Sequence, residues 1–262
     1  MKTQRHRVCL ALLVVGAACS GPSQLHERRW IDLTHTFDAT TIYWPTASGF
    51  EFTQDSKGMT AGGYWYEANT LKTAEHGGTH LDAPVHFAEG HRSVDEIPLA
   101  QLVGPGVVVD VTDACAADRD HEVTVAELET WERVHGRIPE GAIVLLNTGS
   151  ARFWPDRARC MGTDERGAEA VAKLHFPGLH PEAARWLLGR SIGAVGLDTP
   201  SIDRGQSKTF ESHRILFASN VPALENVTHL DELPPTGSVV IALPMKIRRG
   251  SGGPVRIAAL VE

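Results

Sequence analysis

Between positions 76 and 86 the chain reads His-Gly-Gly-Thr-His-Leu-Asp-Ala-Pro-Val-His, and no other stretch restricts its folding so tightly. Four potential metal ligands or proton carriers, His76, His80, Asp82 and His86, fall within eleven residues. On a helix His76 and His80 would share a face, but Gly77, Gly78 and Pro84 argue against an uninterrupted helix. A tight loop leading into an extended piece is simpler, because His80 and Asp82 at i, i+2 then point the same way. The two glycines let the backbone pass close to a bound cation. Imidazoles and carboxylates at this density are costly to bury unless a cation or hydrogen bonds compensate them. The run therefore predicts a divalent-cation site.

The rest of the sequence must supply a scaffold. Its 262 residues fit one large α/β domain or two small ones and suffice to bury a full core. Residues 30–34, 63–71, 107–111, 143–146, 192–197, 239–243 and 255–261 read as strands. Residues 36–62 are rich in turn formers and read as loops. Thr124, with Glu127 three residues on, is a capping box opening a helix whose Val125, Leu128 and Trp131 share a face. Residues 181–188 read as a second helix with proline at its start. The polar stretch 198–203 follows a strand, where sites gather in α/β folds, and its Asp198 and Asp203 are equally well read as turn formers. The fold class expected is α/β with a mixed sheet.

The amino terminus reads as an export signal. Lys2, Arg5 and Arg7 precede an apolar stretch, 8–18, too short to span a bilayer as a helix. Gly16-Ala17-Ala18-Cys19 resembles a bacterial lipoprotein signal, in which Cys19 carries the lipid; plain cleavage after Ala18 is the alternative. This gives a signal peptide over 1–18, a polar tether over 19–28 and a folded domain over 29–262. The destination is the periplasm or, through the lipid alone, the membrane surface. Without its signal the chain has 22 basic and 32 acidic residues, a charge of −10, which disfavours nucleic acid as a partner. Cys115 and Cys160 are left as a pair that could bridge, and no CxxC spacing supports a thiolate zinc site.

As HxGTHxDxPxHF, residues 76–87 resemble the signature of the metal-dependent cyclase-like hydrolases, a family that includes bacterial kynurenine formamidase and isatin hydrolase. The resemblance runs from about 30 to 261 and takes in Ile31-Asp32-Leu33-Thr34-His35, Phe176-Pro177-Gly178-Leu179, Gly196-Leu197-Asp198-Thr199-Pro200-Ser201-Ile202-Asp203 and Ala223-Leu224-Glu225-Asn226-Val227. It implies a single swivelling β/β/α domain assembling as a dimer or tetramer. It implies that His76, His80 and Asp82 bind one metal. Asp82 then bridges to a second, which also takes His213 and Glu225. His86 becomes the acid–base group, and Trp44 faces the ring of a small aromatic amide. The implied cofactor is Zn²⁺ or Mn²⁺, one or two per chain. The chain departs from the pattern in having Arg214 where formamidases often carry a second histidine, and in extra length between 150 and 174. Both departures bear on substrate identity.

Two imidazoles and a carboxylate leave open coordination positions, as a catalytic site requires. A divalent cation lowers the pKa of its water to about 7, and the hydroxide attacks a carbonyl whose oxyanion the cation stabilises. His86 supplies the proton to the leaving nitrogen. Such chemistry hydrolyses a non-peptide C–N bond, as in an aryl formamide. A cyclic amide of the isatin type is the alternative, and a non-catalytic envelope protein that binds metal or ligand is the second. Phe50 and Trp65 are further candidates for selecting a flat substrate, and Glu211 for holding His213 in its ligating tautomer.

Overall fold

The computed structural model describes residues 28–261. The expected signal, Cys19, and all of the tether except its last residue lie outside them. The described strands are β1 (Arg29–Asp32), β2 (Glu51–Met59), β3 (Trp65–Lys72), β4 (His80–Asp82), β5 (Val103–Asp110), β6 (Glu122–Val123), β7 (Ile143–Asn147), β8 (Gly178–Leu179), β9 (Ala194–Leu197), β10 (Ala223–Glu225), β11 (Ser238–Pro244) and β12 (Gly252–Val261). The α-helices are α1 (Thr112–Ala117), α2 (Val125–His135), α3 (Arg157–Met161), α4 (Pro181–Leu188) and α5 (Glu211–Phe217).

Eight strands form one mixed sheet in the order β1-β12-β11-β5-β7-β9-β10-β4, and β4 pairs again with β12, curling the sheet into a barrel. The sheet is parallel through β5, β7, β9 and β10 and antiparallel elsewhere. Residue alternation sorts the side chains of β7: Val144 and Leu146 pack in one cluster with α2, α4 and α5, while Ile143 and Leu145 pack in the other with β11 and β12. Both faces of β7 are therefore covered, and its run of apolar residues is continuous.

The capping box on α2 forms as read: Glu127 accepts from the Thr124 N–H at 2.7 Å, and the Glu127 N–H reaches the Thr124 hydroxyl. Trp131 on its buried face donates to the Val108 carbonyl at 2.8 Å, tying helix to sheet.

One expectation is corrected and one open question is closed. Residues 36–62 are not all loop, because they contain β2, which pairs with β3 in a long hairpin. Its middle residues, Thr53-Gln54-Asp55-Ser56-Lys57, are polar on both faces and carry no apolar period to read. The possible Cys115–Cys160 bridge is not formed; both thiols are buried and free, and burial pushes each up to about 12.

Candidate metal centre

Three short elements converge at one end of the barrel. β4 presents His80 and Asp82 on the same side, two residues apart. β10 runs antiparallel beside it with Glu225 opposite His80. α5 brings His213, and the Asp203 carboxylate accepts from the backbone N–H groups of Ser212 and His213, both at 3.1 Å. His76 arrives from the loop before β4.

The four positions from the 76–86 run and the two distant ones meet. His76 Nδ1 lies 2.6 Å from Asp82 Oδ1, and His80 Nε2 lies 3.1 Å from the same oxygen. The other oxygen, Asp82 Oδ2, is 3.4 Å from His213 Nε2, which is 3.1 Å from Glu225 Oε1. Two triads result, His76–His80–Asp82 and Asp82–His213–Glu225, each with donor atoms within 4.8 Å of one another and both sharing Asp82. His80 Nε2 is fully buried yet has no hydrogen-bond partner among the described residues. It faces Asp82 Oδ1 and Glu225 Oε2, the latter at 3.3 Å. A buried nitrogen aimed between two carboxylates fits a cation, and the N/O donor set suits a borderline divalent ion.

Electrostatics agree. Burial alone would lower His80, but the Asp82 and Glu225 carboxylates more than offset it and hold the imidazole up to about 10. Burial likewise opposes protonation of His213, yet Asp203, Asp82 and Glu225 keep it well above its ordinary value. Burial would raise Asp82, and the surrounding imidazoles instead hold it well below the usual carboxylate range. His86 behaves differently: burial lowers it to about 4 despite the pull of Asp82. Its ring stacks on His76, centroids 3.8 Å apart and planes 18° from parallel.

These groups floor a cavity of about 290 Å³ whose walls include Trp44, Phe87 and Phe210. Trp44 meets Phe210 edge-on at 6.1 Å and Phe176 at 6.5 Å. The segment between 150 and 174 packs behind this wall. Arg157 Nη1 donates to the Tyr43 carbonyl at 2.8 Å, and the Gly167 N–H to the Pro45 carbonyl at 2.9 Å, bracing the segment that carries Trp44.

Several expectations change. Phe50 and Trp65 do not line the cavity: Phe50 stacks on Phe52 at the hairpin base, and Trp65 is exposed near the hairpin tip. Glu211 does not hold His213 but pairs with Arg185. Asp203, left open as a turn former, does, accepting from His213 Nδ1 at 2.6 Å. The glycines at 77 and 78 make room for rings. A Cβ on Gly77 would meet Tyr43 at 2.0 Å and one on Gly78 would meet Phe37 at 2.6 Å. Sequence reading missed Phe210, whose left-handed backbone (φ 47°) no residue pattern announces, and Ser251, which contacts His76. The glycines on either side of Ser251 were the available signal for the latter.

The Cyclase family model matches residues 31–204. Isatin hydrolase of Roseibium aggregatum is 34% identical over 207 residues, spanning 76% of this chain and 76% of that one. Kynurenine formamidase of Salinibacter ruber is 27% identical over 232 residues, 86% of this chain and 94% of that one. The solved structure of isatin hydrolase A from Ralstonia solanacearum superposes with a TM-score of 0.82 at 33% identity, covering 98% of this chain and 100% of the other. The chain belongs to the Cyclase family and is a metal-dependent hydrolase.

Proposed function

We propose that the chain hydrolyses the C–N bond of a small amide carried on a flat aromatic ring, using one or two Zn²⁺ or Mn²⁺ ions. The observation that carries this reading is the pair of triads sharing Asp82 at the floor of an aromatic-walled cavity. His76, His80 and Asp82 would hold one ion, and Asp82, His213 and Glu225 a second. When bound, such an ion polarises an amide carbonyl and makes water acidic near neutral pH. The residues do the rest. Trp44, Phe87 and Phe210 hold the ring and exclude water from around the amide. His86, which burial keeps neutral, takes a proton from the attacking water and delivers it to the leaving nitrogen. Its stacking fixes its ring plane against His76, a member of the first triad.

An aryl formamide and a ring-closed aryl amide both suit this arrangement. The higher identity to isatin hydrolase, 34% against 27% for the formamidase, favours the ring-closed substrate. The chain would work outside the cytoplasm after loss of residues 1–18, free or held by a lipid on Cys19. It would pair with a second copy through the exposed β2–β3 hairpin.

Purified protein given Zn²⁺ or Mn²⁺ is expected to hydrolyse isatin, N-formylkynurenine or both, to lose activity to a chelator, and to lose turnover but not metal in His86→Ala. Stoichiometric metal with neither substrate consumed would instead make it a binding protein.

A further inference from the structure

The three imidazoles facing Asp82 do not present the same nitrogen. His80 Nδ1 is 3.0 Å from the Gly78 carbonyl, and His213 Nδ1 is held by Asp203, so both turn Nε2 toward the carboxylates. His76 is reversed. Its Nδ1 faces Asp82, and its Nε2 lies 2.8 Å from the Ser251 hydroxyl. That hydroxyl has one hydrogen, which it donates to Glu75 Oε2 at 2.6 Å. Toward His76 it can therefore only accept, so His76 must carry hydrogen on Nε2 and leave the Nδ1 lone pair for the centre. Glu75 also accepts the Ser251 backbone N–H at 3.1 Å, fixing the serine at two points.

The chain is shaped to make this contact. A Cβ at Gly252 would come within 2.8 Å of the His76 ring, and one at Gly250 within 2.7 Å of Glu75 Oε1. Only glycines on either side let Ser251 enter between the two. β12 begins immediately after, with Gly252 opposite Asp82, so the serine is anchored in the same strand pair that holds the ligands.

We propose that Ser251 and Glu75 form a positioning pair that selects the Nε2–H tautomer of His76, making it a ligand through Nδ1. Because His86 stacks on His76, the pair also holds the ring proposed to move the proton. This inference rests on the metal reading above. Neither residue lines the cavity.

The test uses the full mature chain loaded with Zn²⁺. In ¹⁵N-histidine NMR, His76 is expected to show a protonated Nε2 and a metal-bound Nδ1. Ser251→Ala and Glu75→Ala are expected to weaken Zn²⁺ binding about 10- to 100-fold and to broaden the His76 tautomer signals. Glu75→Gln, which keeps an acceptor for the serine, should recover most of the affinity. With isatin as the probe substrate, kcat should fall in the alanine variants while KM changes little. An Nε2-bound His76, or unaltered Zn²⁺ affinity in Ser251→Ala, overturns this inference alone. Wild-type protein that binds neither Zn²⁺ nor Mn²⁺ overturns the metal reading and this one with it.

Discussion

Because His80 Nε2 has two carboxylate oxygens within 3.3 Å, a proton and a divalent ion compete for one place. In chelator-treated protein the carboxylates hold the proton on His80 up to about 10. The metal-free form thus carries it across the neutral range and the metal-bound form does not. Raising the pH removes the competitor, so affinity should climb by up to about tenfold per pH unit for each proton displaced, levelling off near the His80 value. Calorimetry of Zn²⁺ binding in buffers of different ionisation enthalpy should show proton release at pH 7. Binding that neither releases protons nor strengthens between pH 6 and 9 would contradict this competition. Asp82 gives one oxygen to each triad, whereas Glu225 belongs to the second alone. Asp82→Asn should accordingly abolish binding of both ions and Glu225→Gln of one, read as metal per chain by elemental analysis.

The elements explain why the sequence disclosed the ligands more readily than the pocket. β5, β7 and β12 alternate or run apolar, the 124–127 cap is local chemistry, and His80 and Asp82 are two residues apart, so all are visible in a window of a few residues. The distant pair, His213 and Glu225, shows no local pattern and was placed only by resemblance. The wall around Trp44 is less legible, because it depends on how residues 150–174 fold against residues 43–47. Phe210 and the Ser251 contact were hidden for the same reason, being products of tertiary approach. That wall can be tested. Trp44 lines the cavity and packs on Phe176 and Phe210, and it belongs to neither ligand triad. Trp44→Ala should therefore raise KM for an aromatic amide about tenfold, the equivalent of 1.4 kcal/mol of lost contact, with metal content unchanged. A fall in kcat at constant KM would place Trp44 in the chemistry instead.

At the scale of the whole molecule, the β2–β3 hairpin is unfinished. Among the described residues its strands pair only with each other, and a two-stranded hairpin is marginal on its own in water. The tip carries Met59, Tyr64, Trp65 and Tyr66, each at least half exposed, around Lys57 and Glu67, which pair with one another. Apolar side chains gathered at the end of an arm mark a contact surface, and a second copy in two-fold symmetry is the commonest way to cover one. Light scattering should then find a dimer or tetramer, and Trp65→Ser with Tyr66→Ser should shift it toward monomer without loss of secondary structure. The consequence reaches the metal centre. Phe52 at the hairpin base stacks on Phe50, Phe50 meets Phe37 edge-on at 6.0 Å, and the Phe37 ring fills the space beside Gly78 in the ligand loop. A partner that steadies the hairpin steadies that row of rings and, through it, the loop before His80. The double-serine variant should therefore lose turnover along with its partner. High concentration, which restores the dimer by mass action, should restore activity in proportion. A monomer as active as the wild-type assembly would show that the row of rings carries nothing from the hairpin to the site.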